Sequence, residues 1–510
     1  MTTPATGSGS AHRGLVTVSI MAATIMQALD TTIANVALPY MQGSLSAAQD
    51  QIAWVLTSYI VAAAIATPLT GWLVTRYGRK RIFLGCVAGF TMASMLCGAA
   101  ASLRQIVLFR LLQGVFGAAL VPLSQATLLD INPRERHGSA MAIWSSGIMV
   151  GPVLGPTLGG WLTENYNWRW VFYINLPIGI LAFLGMLAFM AETRSDRERR
   201  FDVFGFASLS LAVGALQMVL DRGERKDWFG STEIIAEAAL AATALWVFIA
   251  HSLTTARPFV NLALFKDRNF VVGVGFIFVT TAVMYSTLAL LPPMMTMLGY
   301  PIILTGLLMS PRSITTMVFM MVAGRLLGRA DIRLLLGIGI SVTSLSLWEM
   351  AGYSPEMDAW PIILAGLTQG LGLAFVYVPL STVAFSTLPS ELRNEGTALF
   401  SLLRNIGGSI GISVVETMLD RSIQISHSEL AQNVTPYNPA LRHAAAAHYW
   451  ALDSANGLAR LDQLINFQAS MIGYINDFKL LMLLCLAALP LLLLLRPATK
   501  AAAKLPATVE

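Results

Sequence analysis

Fourteen membrane-spanning α-helices, arranged as two six-helix halves with two helices inserted between them, make an all-α integral membrane protein of this chain. Three observations lead there. Of 510 residues, 55% are hydrophobic and only 12% charged, and mean hydropathy is +0.65. A soluble domain carries roughly twice that charged share. A soluble chain this long would form about three domains, each needing a charged surface; 33 Lys and Arg with 28 Asp and Glu are too few. Second, apolar runs near the roughly 20 residues that cross hydrocarbon follow one another along the chain. Third, the sequence resembles itself at an offset near 256 residues. A multidomain soluble enzyme, a disordered chain and a secreted disulfide scaffold are thereby excluded.

In order, the predicted spans are 15–38, 52–74, 82–102, 106–128, 138–162, 168–190, 203–220, 234–253, 270–292, 303–325, 334–352, 361–386, 396–419 and 479–496. The seventh is short, and the eighth begins among Glu233 and Glu237. The first is long enough to span and lacks a small-residue cleavage site, so it reads as a helix and not a signal peptide. Tails 1–14 and 497–510 flank the halves 15–190 and 270–496, with the inserted pair at 203–253.

Basic residues set the expected orientation. With the N-terminus inside, 21 of the 33 Lys and Arg fall on inner segments, 9 outside and 3 within spans. That bias and the even helix count predict both termini in the cytoplasm. Net charge +5 and pI 9.1 are explained the same way, with no nucleic-acid partner. Trp54, Trp161, Trp168, Trp170, Trp228 and Trp360 form an expected outer aromatic belt. Cys86, Cys97 and Cys485 all sit in apolar runs at spacings that suit no metal or disulfide frame. Segment 420–477 reads as the one long outer loop; its His427, His443 and His448 lack a metal-site spacing.

The repeat is collinear. Gln113-Gly114 and Pro122-Leu123-Ser124 answer to Gln369-Gly370 and Pro379-Leu380-Ser381. Gly71, Leu73, Arg76 and Lys80 answer to Gly324, Leu326, Arg329 and Arg333, and Pro133 and Glu135 to Pro389 and Glu391. Spans 1–6 thus resemble spans 9–14 in the same orientation.

Several residues do not fit a role in topology. Asp30 lies inside the first span, where an acid costs about 2.5–3.5 kcal/mol on insertion scales and marks an ion pathway. Arg110 lies about 6 Å deep in the fourth span, against about 12 Å for Asp30, a gap its side chain can cover; the bland alternative is snorkelling to the interface. Arg312 and Arg404 are also intramembrane, with structural pairing ranked above substrate contact. Glu349 and Glu416 fall near outer helix ends, where solvation is expected. Gly147, Gly151, Gly155 and Gly159 recur every four residues on one face of the fifth span, interleaved with Pro152 and Pro156. Methionines cluster between Met284 and Met321, including Met309; packing is the expected role, and binding of varied apolar ligands the alternative. No P-loop and no Ser/His/Asp constellation is present.

These strings carry a family resemblance over almost the whole chain. Gly71-x-Leu-x-x-Arg76-x-Gly78-Arg79-Lys80-Arg81 resembles the loop that gates the cytoplasmic side in the major facilitator superfamily, with Thr75 where an acid is usual. Gly151-Pro152-Val-Leu-Gly155-Pro156-Thr-Leu-Gly159-Gly160 resembles the antiporter signature of facilitator drug exporters. The first-span string from Leu29 through Asp30, Asn35 and Pro39 resembles that of the fourteen-helix drug:proton antiporters, Arg110-x-x-Gln113-Gly114-x-x-Gly117 their proton-coupling motif, and Leu-Leu-Arg404-Asn405-Ile-Gly407-Gly408 a pattern of their penultimate helix.

The resemblance implies a major facilitator fold, with parallel repeats about an axis along the membrane normal and a site between the halves. It implies a bacterial inner-membrane exporter of hydrophobic drugs, driven by the proton motive force without a cofactor, with Asp30 and Arg110 coupling the proton. Asn35, Met284, Met309, Arg312, Arg404 and Asn405 are candidate cavity residues. A periplasmic adaptor and an outer-membrane channel are implied partners, with 420–477 as the docking surface. The alternative is a facilitator of one metabolite or siderophore-like compound.

Overall fold

A computed structural model describes residues 10–193, 201–327, 329–435, 437–438 and 454–495. Within them the chain forms α1 (Ser10–Ser44), α2 (Trp54–Ala66 and Leu69–Tyr77), α3 (Arg79–Ala99) and α4 (Leu103–Gly117 and Leu120–Ile131). Then come α5 (His137–Asn165), α6 (Trp170–Tyr173 and Asn175–Phe189), α7 (Val203–Arg222) and α8 (Thr232–Thr254). The second half holds α9 (Arg268–Met297), α10 (Ile302–Leu326), α11 (Ile332–Met350), α12 (Trp360–Ser386), α13 (Arg393–Ala431) and α14 (Ala455–Ala487). All fourteen expected spans are helical. Arg194, Arg197, Arg199, Arg200, Arg442, Arg496, Lys500, Lys504, His443 and His448 lie outside the described residues, as do most of both tails.

Local chemistry starts and breaks these helices. Ser102, Asp202, Asp267, Asp331 and Ser454 each accept a backbone N–H of the first turn of α4, α7, α9, α11 and α14. The two pieces of α2 meet at 53°; Pro68 at the break has no N–H to continue the ladder. Gly78, at φ +92°, turns the chain from α2 into α3 in a conformation that favours glycine.

One expectation is corrected. Segment 420–477 is not one loop: α13 continues to Ala431 and α14 begins at Ala455. The two helices run on past their apolar spans and pack on each other there, with Asn476 Nδ2 donating to Ser422 Oγ at 2.9 Å and His427 Nε2 3.1 Å from Asp462 Oδ1. The aromatic belt also needs amending: Trp54, Trp161, Trp170 and Trp360 are exposed, but Trp168 is only 5% exposed and donates to Ser44 Oγ.

The end of the bundle that carries Arg76–Arg81 is called the basic end below. There the two halves meet directly: Gly138 lies against Leu327, and Gly324 against Ala142. At the opposite end the inserted pair touches both halves. Thr57 Oγ1 of α2 donates to Asp221 Oδ2 of α7 at 2.5 Å, and Ser413 Oγ of α13 donates to Leu220 O at 3.0 Å. Just beyond α7, Glu224 hydrogen-bonds with Glu416 and Asp420 of α13, so Glu416 is not simply solvated. Glu349 is likewise part-buried, accepting from Thr368 Oγ1.

Candidate functional site

Glycines bring the helices of the first half close enough for one polar network. A Cβ on Gly114 of α4 would fall 2.5 Å from Tyr59 O of α2, and one on Gly151 of α5 would fall 2.2 Å from Ala28 O of α1. Thr32 Oγ1 of α1 donates to Gly151 O at 2.9 Å across the second contact. Gly147, Gly155 and Gly159 also face α1, so the glycine string packs directly on the helix that carries Asp30. Pro152 borders the central cavity described below. Pro156 lies in α5, and its side chain is outside the described residues.

Asp30 is fully buried. Its Oδ2 accepts from Arg110 Nη1 at 2.7 Å. Its Oδ1 accepts from Gln113 Nε2 at 2.7 Å and from Asn175 Nδ2 at 2.9 Å. Arg110, 1% exposed, donates from Nε to Val55 O at 3.0 Å and from Nη1 to Gln113 Oε1 at 2.9 Å. Its guanidinium lies 4.3 Å from the centre of the Tyr59 ring. Asn175 also donates to Ser94 Oγ, which donates to Phe172 O. A buried charge is tolerable when paired and hydrogen-bonded, and five helices supply the partners here. Asp30 and Arg110, singled out in the sequence, are brought together; Arg110 does not snorkel. Gln113 proves to bridge them. Asn175 and Ser94 carried no signal beyond being polar in apolar runs.

Between the halves lies a cavity of ≈ 390 Å³. Arg110 and Tyr59 stand in its wall, so the Asp30 network borders it directly. Asn35, Met284, Arg404 and Asn405 line it; Arg312 and Met309 do not. Arg404 lies 5.9 Å from the centre of the Trp144 ring. Arg312 is buried, with Nη1 donating to Gln369 Oε1 at 2.9 Å, and Gln369 Nε2 donates to Thr287 Oγ1 at 3.3 Å. By the repeat, Gln369 answers to Gln113; where Gln113 donates to the Asp30 carboxylate, Gln369 donates to a hydroxyl, that of Thr287.

The basic end holds a second charged cluster. Asp130 of α4 accepts from Arg79 Nη2 at 2.5 Å and from Arg393 Nη1 of α13 at 2.6 Å. Arg79 Nη2 also reaches Asn394 Oδ1 at 2.9 Å. Gly71 lies against Glu395, so that α2 and α13 are in contact as well. Arg76 lies over the Trp72 and Tyr77 rings, and Lys80 Nζ donates to Leu187 O. Thr75 Oγ1 donates to Gly71 O. Asp130 and Arg393 thus join the halves, a role that sequence reading gave to neither.

Residues 20–412 match the Major Facilitator Superfamily family model. Multidrug export protein EmrB of Escherichia coli (strain K12) is 38% identical over 433 residues, 83% of this chain and 84% of its own. Fatty acid resistance protein FarB of Neisseria gonorrhoeae is 37% identical over 486 residues, 94% and 96% of the two chains. Among solved structures, the human organic anion transporter MFSD10 (TETRAN) superposes with a TM-score of 0.60 at 16% identity, covering 94% of this chain and 100% of its own. The proton:xylose symporter XylE gives 0.59 at 14%, covering 92% and 96%. These last two share the fold.

Proposed function

Because the chain belongs to the Major Facilitator Superfamily, and is therefore a transporter and not an enzyme, we propose that it exports hydrophobic small molecules in exchange for protons by alternating access. Its relatives named for multidrug export support efflux as the direction. One observation carries the coupling: Arg110 stands in the wall of the central cavity and holds Asp30 at 2.7 Å. Asp30 here accepts three N–H donors, which suits an ionised carboxylate. Adding a proton turns one acceptor oxygen into a donor and breaks that pattern. Arg110 is then freed to respond to cargo, and cargo that draws Arg110 away leaves Asp30 to take a proton. The two ligands would thus alternate at one arginine.

The driving force is adequate. One charge crossing the membrane is worth about 2.3 kcal/mol per 100 mV, which sustains roughly a 40-fold gradient. The reading places the protein in a bacterial inner membrane with both termini cytoplasmic, so the basic end faces the cytoplasm. It also keeps a periplasmic adaptor and an outer-membrane channel as partners, with the prolonged α13–α14 pair as the docking element. The lost crosslinking of such an adaptor on deleting 420–477 would support that assignment, and intact crosslinking would end it. For the coupling itself, drug-induced proton release from vesicles is measured for wild type and Asp30→Asn. Loss of proton release in the variant is expected; proton release that survives removes Asp30 as the proton site.

A further inference from the structure

A proton on Asp30 needs an acceptor, and three neighbours only donate to it. Arg110 Nη1 donates to Oδ2 at 2.7 Å, Gln113 Nε2 to Oδ1 at 2.7 Å and Asn175 Nδ2 to Oδ1 at 2.9 Å. Once Asp30 is a carboxylic acid, its O–H faces these N–H groups. Arginine has no acceptor to offer. Gln113 has one, but its Oε1 already accepts from Arg110 Nη1 at 2.9 Å and from Cys97 Sγ at 3.5 Å. Asn175 differs. It is fully buried, and its Oδ1 has no partner among the described residues. A buried acceptor left unused is costly, and this one belongs to an amide that already touches the carboxylate.

The two ends of an amide can trade places, because its terminal torsion has two broad settings about half a turn apart. Nδ2 of Asn175 now meets Asp30 Oδ1 and Ser94 Oγ, each at 2.9 Å. A half-turn puts Oδ1 in that position, where its two lone pairs can accept from both. Ser94 can follow: its hydroxyl donates to Phe172 O at 2.9 Å, and rotation about one bond redirects it to the amide oxygen. We propose that Asn175 is a positioning residue for the proton: its amide donates to the ionised Asp30 and turns over to accept from the protonated one, with the Ser94 hydroxyl following. This rests on the reading that Asp30 is the proton site. The proton stays on Asp30 throughout, and only hydrogen bonds change.

The test is infrared difference spectroscopy, acid minus neutral, on full-length protein in lipid, with asparagine carrying a ¹³C-labelled side-chain amide. Wild type is expected to show a carboxylic acid band that Asp30→Asn removes. With it, one asparagine carbonyl band should move to the lower frequency of an oxygen that accepts hydrogen bonds. Asn175→Thr removes that asparagine signal. Ser94→Ala leaves a smaller shift, since one of the two donors is gone. Thr and Val have nearly the same shape, but only a hydroxyl can donate or accept as required. In Asn175→Val the acid band should therefore rise to the frequency of an O–H without an acceptor, while Asn175→Thr keeps it near wild type. Drug-stimulated proton release should fall about tenfold or more in Asn175→Val and be largely kept in Asn175→Thr. A purely structural role would treat the two variants alike. An acid band that titrates while no asparagine band moves, or equal behaviour of the Thr and Val variants, overturns the proposal and leaves Asp30 as the proton site. Absence of any Asp30-dependent acid band would end both.

Discussion

Arg110 serves three acceptors at once, Val55 O, Asp30 Oδ2 and Gln113 Oε1, using two of its nitrogens. A guanidinium spreads its donors in a rigid plane, and an ammonium is a point charge. Arg110→Lys should therefore keep the charge balance of Asp30 but lose the fixed geometry: the protein folds, and its drug-stimulated proton flux falls steeply in reconstituted vesicles. Arg110→Ala leaves a buried acid unpaired, a loss of about 3–5 kcal/mol unless that acid takes a proton; a lowered thermal midpoint and lost coupling are expected together. Unchanged export by Arg110→Ala would discard the coupling role. The pair was legible in the sequence because two charges in apolar runs, at depths a side chain can bridge, must find each other. Asn175 and Ser94 were not, since an amide and a hydroxyl mid-helix carry little cost of their own. Only the packing of α3, α4 and α6 around α1 shows where they point.

At the scale of the helix, the α5 glycines are a matter of clearance. A methyl on Gly151 would meet Ala28 O at 2.2 Å, while one on Gly160 would meet nothing within 4 Å. Gly151→Ala must push α1 away, at about 1–3 kcal/mol for overpacking, and should lower both the thermal midpoint and transport. Gly160→Ala gains helix propensity and should be neutral or slightly stabilising; equal effects of the two would show that the spacing of α5 against α1 does not matter. The insert offers a different test. Burial first, and the neighbouring Asp420 second, hold the Glu224 carboxyl above its ordinary range. The folded state then binds that proton more firmly than the unfolded chain. Its contribution is full below the ordinary carboxylate range and lost as pH rises through the folded value. Glu224→Gln should raise the thermal midpoint at pH 7.5 and leave it unchanged at pH 4; the reverse pattern would contradict the assignment. The fourteen apolar runs were visible because hydrocarbon demands them. The prolonged parts of α13 and α14 were hidden, because outside the membrane a helix pair needs only one apolar face, and a hydropathy count reads that as a loop.

The two repeats of the molecule meet at the basic end, and Asp130 is a charge that joins them there. Its carboxylate serves Arg79 of the first half and Arg393 of the second, both less than a tenth exposed. Gating-loop pattern and repeat were both readable in the sequence, yet this contact was not. Thr75 stands where the usual acid would, and the acid that acts sits on another helix, at the end of α4. Under the proposed alternating access these two bonds must break each cycle, and they would then set how far the closed basic end is favoured. Charge-assisted hydrogen bonds contribute about 1.5–3 kcal/mol each, so removing the charge should move the equilibrium toward an open basic end by tenfold or more. Spin labels at Arg136 and Arg329, both exposed and on opposite halves, report that distance in a background lacking Cys86, Cys97 and Cys485. Asp130→Asn should populate a longer distance that wild type shows only weakly. Arg393→Gln should do the same, and the double variant should add little to either, since both remove one bond from one network. An unchanged distance distribution in Asp130→Asn would mean that apolar packing around Gly138 and Gly324, and not charge, holds the basic end shut.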